Sequence, residues 1–181
     1  MSLFAGIDAS NYPGKLVMDA IWATSNIYWT GMYLDSPAPV PGEVSTTKPK
    51  NGHNRMGGIG AHSVGSWMRA WGEIYDGTWG ILPIYWGHQD PANEDGPIDL
   101  RESIAVANAE DAALKAISAG IPSGAVLYLD WEIGGTPSAA GITYCRTWFR
   151  RLSELGYRPG VYCHPPSSQR FRLECPHLFV W

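Results

Sequence analysis

Carboxylates lie at the ends of three apolar segments that have the composition of β-strands. Asp8 follows LFAGI, Asp35 follows IYWTGMYL, and the segment AVLYLDWE carries Asp130 and Glu132 two residues apart. Because side chains alternate between the two faces of a strand, Asp130 and Glu132 are predicted to share one face, with Trp131 on the other. Two carboxyl groups in one pocket raise the pKa of one of them, which then keeps the proton that a general acid for a glycosidic oxygen requires. Taken singly, each acid has the alternative of capping a helix or pairing with arginine.

The elements that would position these carboxylates are short strand-like segments alternating with longer helix-like ones. Alanines between about 101 and 119 repeat at the spacing of one helix face, and Gly120 with Pro122 ends that helix. Strict alternation predicts βα units and a parallel sheet. The predicted strands are Leu3–Asp8, Ile27–Asp35, Gly80–Trp86, Ala125–Glu132, Pro159–Cys163 and His177–Trp181, and the predicted helices span about 15–24, 64–74, 101–119 and 138–155, followed by a short segment at Gln169–Leu173.

Six such strands fit either a doubly wound sheet or a (β/α)8 TIM-type barrel, and in both the carboxyl ends of the strands carry the chemistry. A nucleotide-binding fold needs a glycine-rich turn after the first strand, whereas IDASNYPG has a carboxylate and an asparagine there. An α/β barrel is therefore favoured, as a single domain over 1–181. Because such barrels take about 250 residues, this chain corresponds to about six βα units, and we expect a barrel truncated at its C-terminus.

The segment 36–62 is rich in proline, glycine and polar residues. It is too long for an ordinary connection between a strand and a helix. We therefore interpret it as an insertion loop, and both a functional lid and a disordered surface excursion remain open.

Charge and hydropathy exclude several classes of protein. The formal net charge is −4, with 13 Lys and Arg and no basic run, so a nucleic-acid partner is not expected. No run approaches 18 consecutive apolar residues, so no membrane span is expected. The N-terminus lacks the basic start and apolar run of a signal peptide. We expect either a cytosolic protein or an extracellular, cell-wall-associated one whose leader is missing from this sequence.

Histidine and cysteine spacing predicts no metal site. The five histidines show no HxxxH or HExxH pattern and the three cysteines form no CxxC, so neither a metal nor another cofactor is expected. Cys145, Cys163 and Cys175 are interpreted as buried thiols, with a bridge between Cys163 and Cys175 as the alternative.

Aromatic residues are abundant, with nine tryptophans, nine tyrosines and four phenylalanines. Most are expected to fill the core, and about a third to line a cleft in which flat rings stack on sugars.

Several of these segments resemble a known family when they are read in order. GIDASNYPG, YLDWE, GYRPGVYCHP and LFVW look like the family 25 glycoside hydrolases, the bacterial and phage lysozymes. The chain is closer still to the glycoside-hydrolase-like domain of unknown function of exported bacterial cell-wall proteins, whose pattern includes AEDAALKAISAGIPSGAVLYLDWE almost throughout. The resemblance covers essentially the whole chain.

The resemblance implies a role for each acid. Glu132 would be the general acid, Asp130 would orient the N-acetyl group of the substrate or stabilise the positive intermediate, and Asp8 would lie beside them. The implied substrate is an N-acetylated polysaccharide of the peptidoglycan type, whose acetamido group could itself act as the nucleophile. The expected substrate-binding residues are Asp35, Tyr85, Gln89, Tyr162 and Trp181.

Two residues of the family's site have no counterpart in this chain, a glutamine and an aspartate on strands seven and eight. The sequence therefore leaves two main hypotheses. One is a glycoside hydrolase acting on cell-wall polysaccharide, and the other is a non-catalytic glycan-binding barrel that has kept the fold and its aromatic cleft. A hydrolase that uses the acidic cluster to bind a metal is a third.

Overall fold

Helices and strands alternate through the part of the chain that the computed structural model describes, which is residues 5–9, 11–34, 67–76, 79–88, 100–132 and 135–181. In chain order the elements are β1 (Ala5–Ile7), α1 (Lys15–Thr24), β2 (Ile27–Tyr33), α2 (Trp71–Asp76), β3 (Gly80–Trp86), α3 (Glu102–Ser118), β4 (Val126–Trp131), α4 (Ala139–Glu154), β5 (Arg158–Cys163), α5 (Pro165–Glu174) and β6 (Phe179–Val180).

The strands form one parallel sheet in which each pairs with the next along the chain, in the order β1-β2-β3-β4-β5-β6. The register sets Trp86 beside Asp130, and Asp130 beside Tyr162. The sheet is a half-barrel, so the α/β prediction is confirmed and the architecture is consistent with an incomplete TIM-like barrel. Within the described residues, β1 and β6 are its edges.

Local sequence accounts for the helix boundaries. The side chain of Ser138 accepts a hydrogen bond from the Gly141 N–H at 3.0 Å and so caps the start of α4. Gly120 follows α3 with φ +70°, a conformation that glycine adopts without strain. The buried face of α3 includes the alanines that the spacing predicted: Ala105, Ala109, Ala112, Ala113 and Ala116.

Large rings fill the layer between the sheet and the helices. Trp131 of β4 lies 6.2 Å from both Tyr144 and Phe171, measured between ring centroids. Trp148 of α4 stacks on Tyr85 of β3 at 6.2 Å. All five rings are fully buried, so this layer is the main hydrophobic core.

Glycines make room for rings on the opposite, inner face of the curved sheet. A Cβ on Gly160 of β5 would lie 2.7 Å from the ring of Tyr128, and one on Gly6 of β1 would fall within the indole of Trp29. The ring of Trp181, just after β6, lies 5.0 Å from that of Trp29 on β2. The curvature of the sheet therefore brings its far edge into contact with β2 across the interior.

Some boundaries differ from the sequence prediction. The helix expected over 64–74 is a turn at 67–70 followed by α2, and the short segment at 169–173 belongs to the longer helix α5. Strand β6 has only two residues, although the Trp181 N–H still donates to the Val161 carbonyl at 2.9 Å. The segment 36–62 lies outside the described residues.

The cysteines are free thiols, one buried and two half-buried: Cys145, and then Cys163 and Cys175. Helix α5 separates Cys163 from Cys175, and its ten residues span about 15 Å. A disulfide needs Cα atoms within about 7 Å. The alternative of a bridge between them is therefore wrong, and the expectation of full burial holds for Cys145 alone.

No helix among the described residues is both long and apolar enough to cross a membrane.

Candidate active site

The acidic residues of β1 and β4 meet at the carboxyl end of the sheet. Asp8 directly follows β1, Asp130 is the fifth residue of β4, and Glu132 directly follows that strand. The charges of Glu132 and Asp8 both act on Asp130. Asp130 is only 1% exposed, whereas Asp8 and Glu132 are open to solvent. The residue between the two acids of β4, Trp131, packs against the helices, as strand alternation predicted.

Two phenols hold the carboxyl of Asp8. The hydroxyl of Tyr33, at the end of β2, donates to Oδ2 of Asp8 at 3.4 Å. The hydroxyl of Tyr162 on β5 makes a second hydrogen bond to the same carboxyl. Tyr33 also lies within electrostatic range of Asp130. Burial and the neighbouring carboxylates raise the pKa of both tyrosines, so both hydroxyls keep their protons.

Burial is the largest cause of the raised pKa of Asp130. Removal from water raises its pKa well above the ordinary value, the negative charges of Glu132 and Asp8 raise it further, and the nearby hydroxyl of Tyr33 opposes them. The pKa of Asp8 is also raised by the protein packed around its carboxyl, although the side chain is open to solvent. Hydrogen bonds from Tyr162 and Tyr33 oppose that increase. Such a cluster can keep a proton on one carboxyl beside others that carry charge.

Tyr85 does not line this site, contrary to the expectation from the sequence. It is fully buried on the helix side of β3, and its hydroxyl donates to Asp111 of α3 at 2.9 Å. Lys115 pairs with the same aspartate and lies over the Tyr85 ring, 5.0 Å from its centroid. The next residue, Trp86, points to the inner face and pairs in register with Asp130, so it takes the position that was predicted for Tyr85.

Trp181 and Tyr162 do lie on the inner face. Their ring centroids are 4.5 Å apart, and Trp181 also contacts Tyr128 at 6.0 Å. A Cβ on Gly31 would be 3.3 Å from Trp181 and 3.2 Å from Asp8, so indole and carboxyl flank the same point. The wall of the site beside the carboxyls is therefore aromatic.

Side chains from the helices fix the turn that leaves β3. The hydroxyl of Tyr144 accepts hydrogen bonds from Nδ2 of Asn108 at 2.7 Å and from the His88 N–H at 3.1 Å. A Cβ on Gly87 would lie 2.6 Å from that hydroxyl, so glycine is required there.

The turn after β1 is fixed in a similar way. Nε1 of Trp67 donates to the Ala9 carbonyl at 2.7 Å, and the hydroxyl of Tyr12 donates to Glu73 of α2 at 2.8 Å. These bonds hold the backbone next to Asp8.

Two predicted site residues, Asp35 and Gln89, lie outside the described residues. Among the described ones, no group of three or more His, Cys, Asp or Glu side chains is placed to hold a metal ion.

Comparisons with known proteins agree with this architecture. A family model described as Rv2525c-like, glycoside hydrolase-like domain matches residues 66–179. The fold is similar to that in a crystal structure of an uncharacterized B. stearothermophilus protein, with a TM-score of 0.61 and 17% sequence identity. The similar region covers 99% of this chain and 74% of that one. No curated protein matches the sequence.

Proposed function

The chain belongs to the Rv2525c-like, glycoside hydrolase-like domain family, and from that membership we propose that it is a glycosidase acting on N-acetylated cell-wall polysaccharide. The observation that carries the proposal is the convergence of Asp8, Asp130 and Glu132 at the carboxyl end of the half-barrel. Most glycoside hydrolases cleave the glycosidic bond with a pair of carboxyl groups, one of which keeps a proton.

The three acids differ in their exposure to solvent, and we assign their roles from this difference. Glu132 is exposed and can reach the oxygen of a bound glycan, so we assign it as the general acid. Asp8 is also open to solvent and faces the substrate as a carboxylate that stabilises developing positive charge. Asp130, at 1% exposure, offers a polysaccharide almost no surface. We therefore assign it an electrostatic role beneath Glu132 rather than the direct contact with the N-acetyl group that the resemblance implies.

The aromatic wall supports a sugar substrate. Trp86, Tyr162 and Trp181 lie on the inner face beside the carboxyls, and flat rings bind the apolar faces of sugar rings by stacking. The resemblance to cell-wall proteins narrows the class to a peptidoglycan-type glycan. This substrate lies outside the cytoplasm, so the proposal includes an extracellular or cell-wall location.

The test is release of reducing sugar from purified peptidoglycan by wild type and by Glu132→Gln. The amide has nearly the shape of the acid but no acidic proton, so we expect turnover to fall about 10²–10⁴-fold while binding to insoluble cell wall persists. Glu154→Gln, at an exposed glutamate of α4, is the matched control and should leave turnover unchanged.

Two outcomes would contradict the enzymatic proposal. If wild type is retained on cell wall but releases no reducing sugar from any N-acetylated glycan, the chain is a non-catalytic glycan-binding barrel. If Glu132→Gln is as active as wild type, the general acid is another residue.

A further inference from the structure

Helix α5 contacts the chain on both sides of Glu132. Before this residue, the ring of Trp131 lies 6.2 Å from that of Phe171, measured between centroids. After it, the hydroxyl of Ser167 donates a hydrogen bond to the Gly135 carbonyl at 2.7 Å, a bond that we call the α5 anchor. Ser167 and Phe171 are both fully buried. Glu132 is therefore an exposed side chain on a segment of backbone that α5 contacts on either side.

The sequence of α5 accounts for this arrangement. Ser167 and Phe171 are four residues apart, so they lie on the same face of the helix. The register pairs Trp131 of β4 with Cys163 of β5, and α5 begins two residues after Cys163. The first turn of α5, which contains Ser167, therefore starts beside the chain that leaves β4.

The backbone of Gly135 suits it to receive the α5 anchor close to Glu132. Its φ is +116°, in a region that glycine adopts without strain. A Cβ there would meet no described atom within 4 Å, so glycine is required by the backbone angle and not by lack of space. Three residues of chain span at most about 10 Å. The bonded carbonyl is therefore near enough to restrict where the Glu132 backbone can lie.

We propose that Ser167 is a positioning residue for Glu132, which holds the segment after β4 so that the Glu132 carboxyl stays within reach of the glycosidic oxygen. Ser167 is fully buried, so it touches no glycan and acts through Gly135. The inference rests on the proposed function, which assigns Glu132 as the general acid. Because a displacement of about 1 Å can cost about 10²-fold in rate, one anchoring bond is enough to matter.

The segments that follow two other strands of the site are held in the same manner. A buried indole, that of Trp67, donates to the backbone next to Asp8, and the hydroxyl of Tyr144 accepts from the turn after β3. Each bond joins a side chain from outside the sheet to a backbone group just past the carboxyl end of a strand. The α5 anchor does the same for the strand that carries Glu132.

The anchor can be tested without any substrate. In ¹⁵N-labelled protein, NMR relaxation gives the order parameters of the Glu132 and Gly135 amides, which are about 0.85 for rigid backbone and below about 0.6 for flexible backbone. Ser167→Ala should lower both values. Ser168→Ala is the matched control, since its hydroxyl donates to the Pro165 carbonyl within α5 at 2.7 Å, and it should change neither. If the Glu132 amide is as rigid in Ser167→Ala as in wild type, the proposal is overturned.

The kinetic test compares leaving groups that differ in their need for a proton. A sugar must be protonated as it leaves, whereas dinitrophenolate leaves as a stable anion and needs no general acid. Ser167→Ala should lower kcat on purified peptidoglycan about 10- to 100-fold with little change in KM. It should leave kcat nearly unchanged on a dinitrophenyl glycoside of an N-acetylated sugar, as should Glu132→Gln. An equal loss on both substrates would show a merely structural role and would overturn the proposal.

Gly135→Ala disturbs the same anchor through the backbone. A side chain at φ +116° is strained although it has space, so this variant should reproduce the selective loss on peptidoglycan. Gly124→Ala is its control, because Gly124 has φ +85° and an equally open Cβ position but lies before β4, at the opposite end of the strand. If Gly124→Ala causes the same selective loss, the effect does not come from the anchor and the proposal fails.

The two measurements separate this inference from the proposed function. If Ser167→Ala loosens the Glu132 amide but wild type cleaves no N-acetylated glycan, the anchor stands and the proposed function fails. If wild type is active and Ser167→Ala cleaves peptidoglycan as fast as wild type does, the proposed function stands and the positioning role of Ser167 is wrong.

Discussion

An alanine at Gly31 removes space that three inner side chains use. A Cβ there would lie 2.8 Å from Cδ1 of Ile84, 3.2 Å from Oδ1 of Asp8 and 3.3 Å from Cη2 of Trp181. Carbon atoms in contact prefer a separation of about 3.5–4.0 Å, so the buried Ile84 must retreat by about 1 Å. Overpacking costs about 1–3 kcal/mol, and the lost freedom of the unfolded glycine offsets about 0.4–1 kcal/mol of that. We expect Gly31→Ala to lower the free energy of unfolding by about 1–2 kcal/mol.

Thermal melts followed by circular dichroism test this value. For a chain of this length the expected fall in Tm is about 2–8 °C. Gly72→Ala is the control, because no described atom outside its own helix backbone lies within 4 Å of its Cβ position and alanine is favoured over glycine in a helix by about 1 kcal/mol. Its Tm should rise. If Gly31→Ala melts at or above the wild-type temperature, the close approach of β2 to Asp8 and Trp181 is refuted.

Two further substitutions probe the supports of the site. The raised pKa of Asp130 means that the folded protein binds this proton more tightly than the unfolded chain does, so the contribution of Asp130 to stability is complete below pH 3.8 and is lost as pH rises through the folded pKa. Asp130→Asn should therefore gain stability relative to wild type as pH increases above that value in urea unfolding, and a pH-independent difference would contradict the raised pKa. Tyr144→Phe leaves the buried Asn108 amide and the His88 N–H without their acceptor, so we expect a loss of about 1–3 kcal/mol. Hydrogen exchange should show faster exchange at the His88 amide, and unchanged protection there would count against this hydrogen bond.

The local sequence was sufficient to predict the bounds and the buried face of an element where polar and apolar residues mark its ends and its two faces. The bounds of α1 and β3 agree with the prediction, at Lys15–Thr24 and Gly80–Trp86. On β4, carboxylates on either side of Trp131 distinguish the two faces of the strand, so its packing against the helices could be predicted.

The misassignment of Tyr85 has a physical cause. Strands of a parallel sheet are covered on both faces and are often apolar throughout, and GILPIYW carries no charged residue to mark which face is which. An error of one residue in such a strand exchanges the cleft face for the helix face. The resemblance placed Tyr85 in the site, and nothing in this strand indicated that Trp86 takes the inner face instead.

Tyr33 was missed for a different reason. It lies within the apolar run IYWTGMYLD, whereas its hydrogen-bond partner Asp8 and the neighbouring charge of Asp130 are distant in sequence. Only the folding of β1, β2 and β4 into one curved sheet brings the phenol close to both carboxyls. No local pattern carries this information.

The contact between Trp29 and Trp181 also bears on how the protein folds. Each strand pairs with its neighbour in sequence, so most of the sheet can assemble from contacts between adjacent βα units. The two indoles are instead separated by about 150 residues, and the entropic cost of closing so long a loop is met only once the intervening strands are in place. The contact is therefore expected to form after the transition state for folding. Residues whose contacts form late act mainly on the rate of unfolding. The indole of Trp181 should therefore affect the lifetime of the folded state more than the rate of folding.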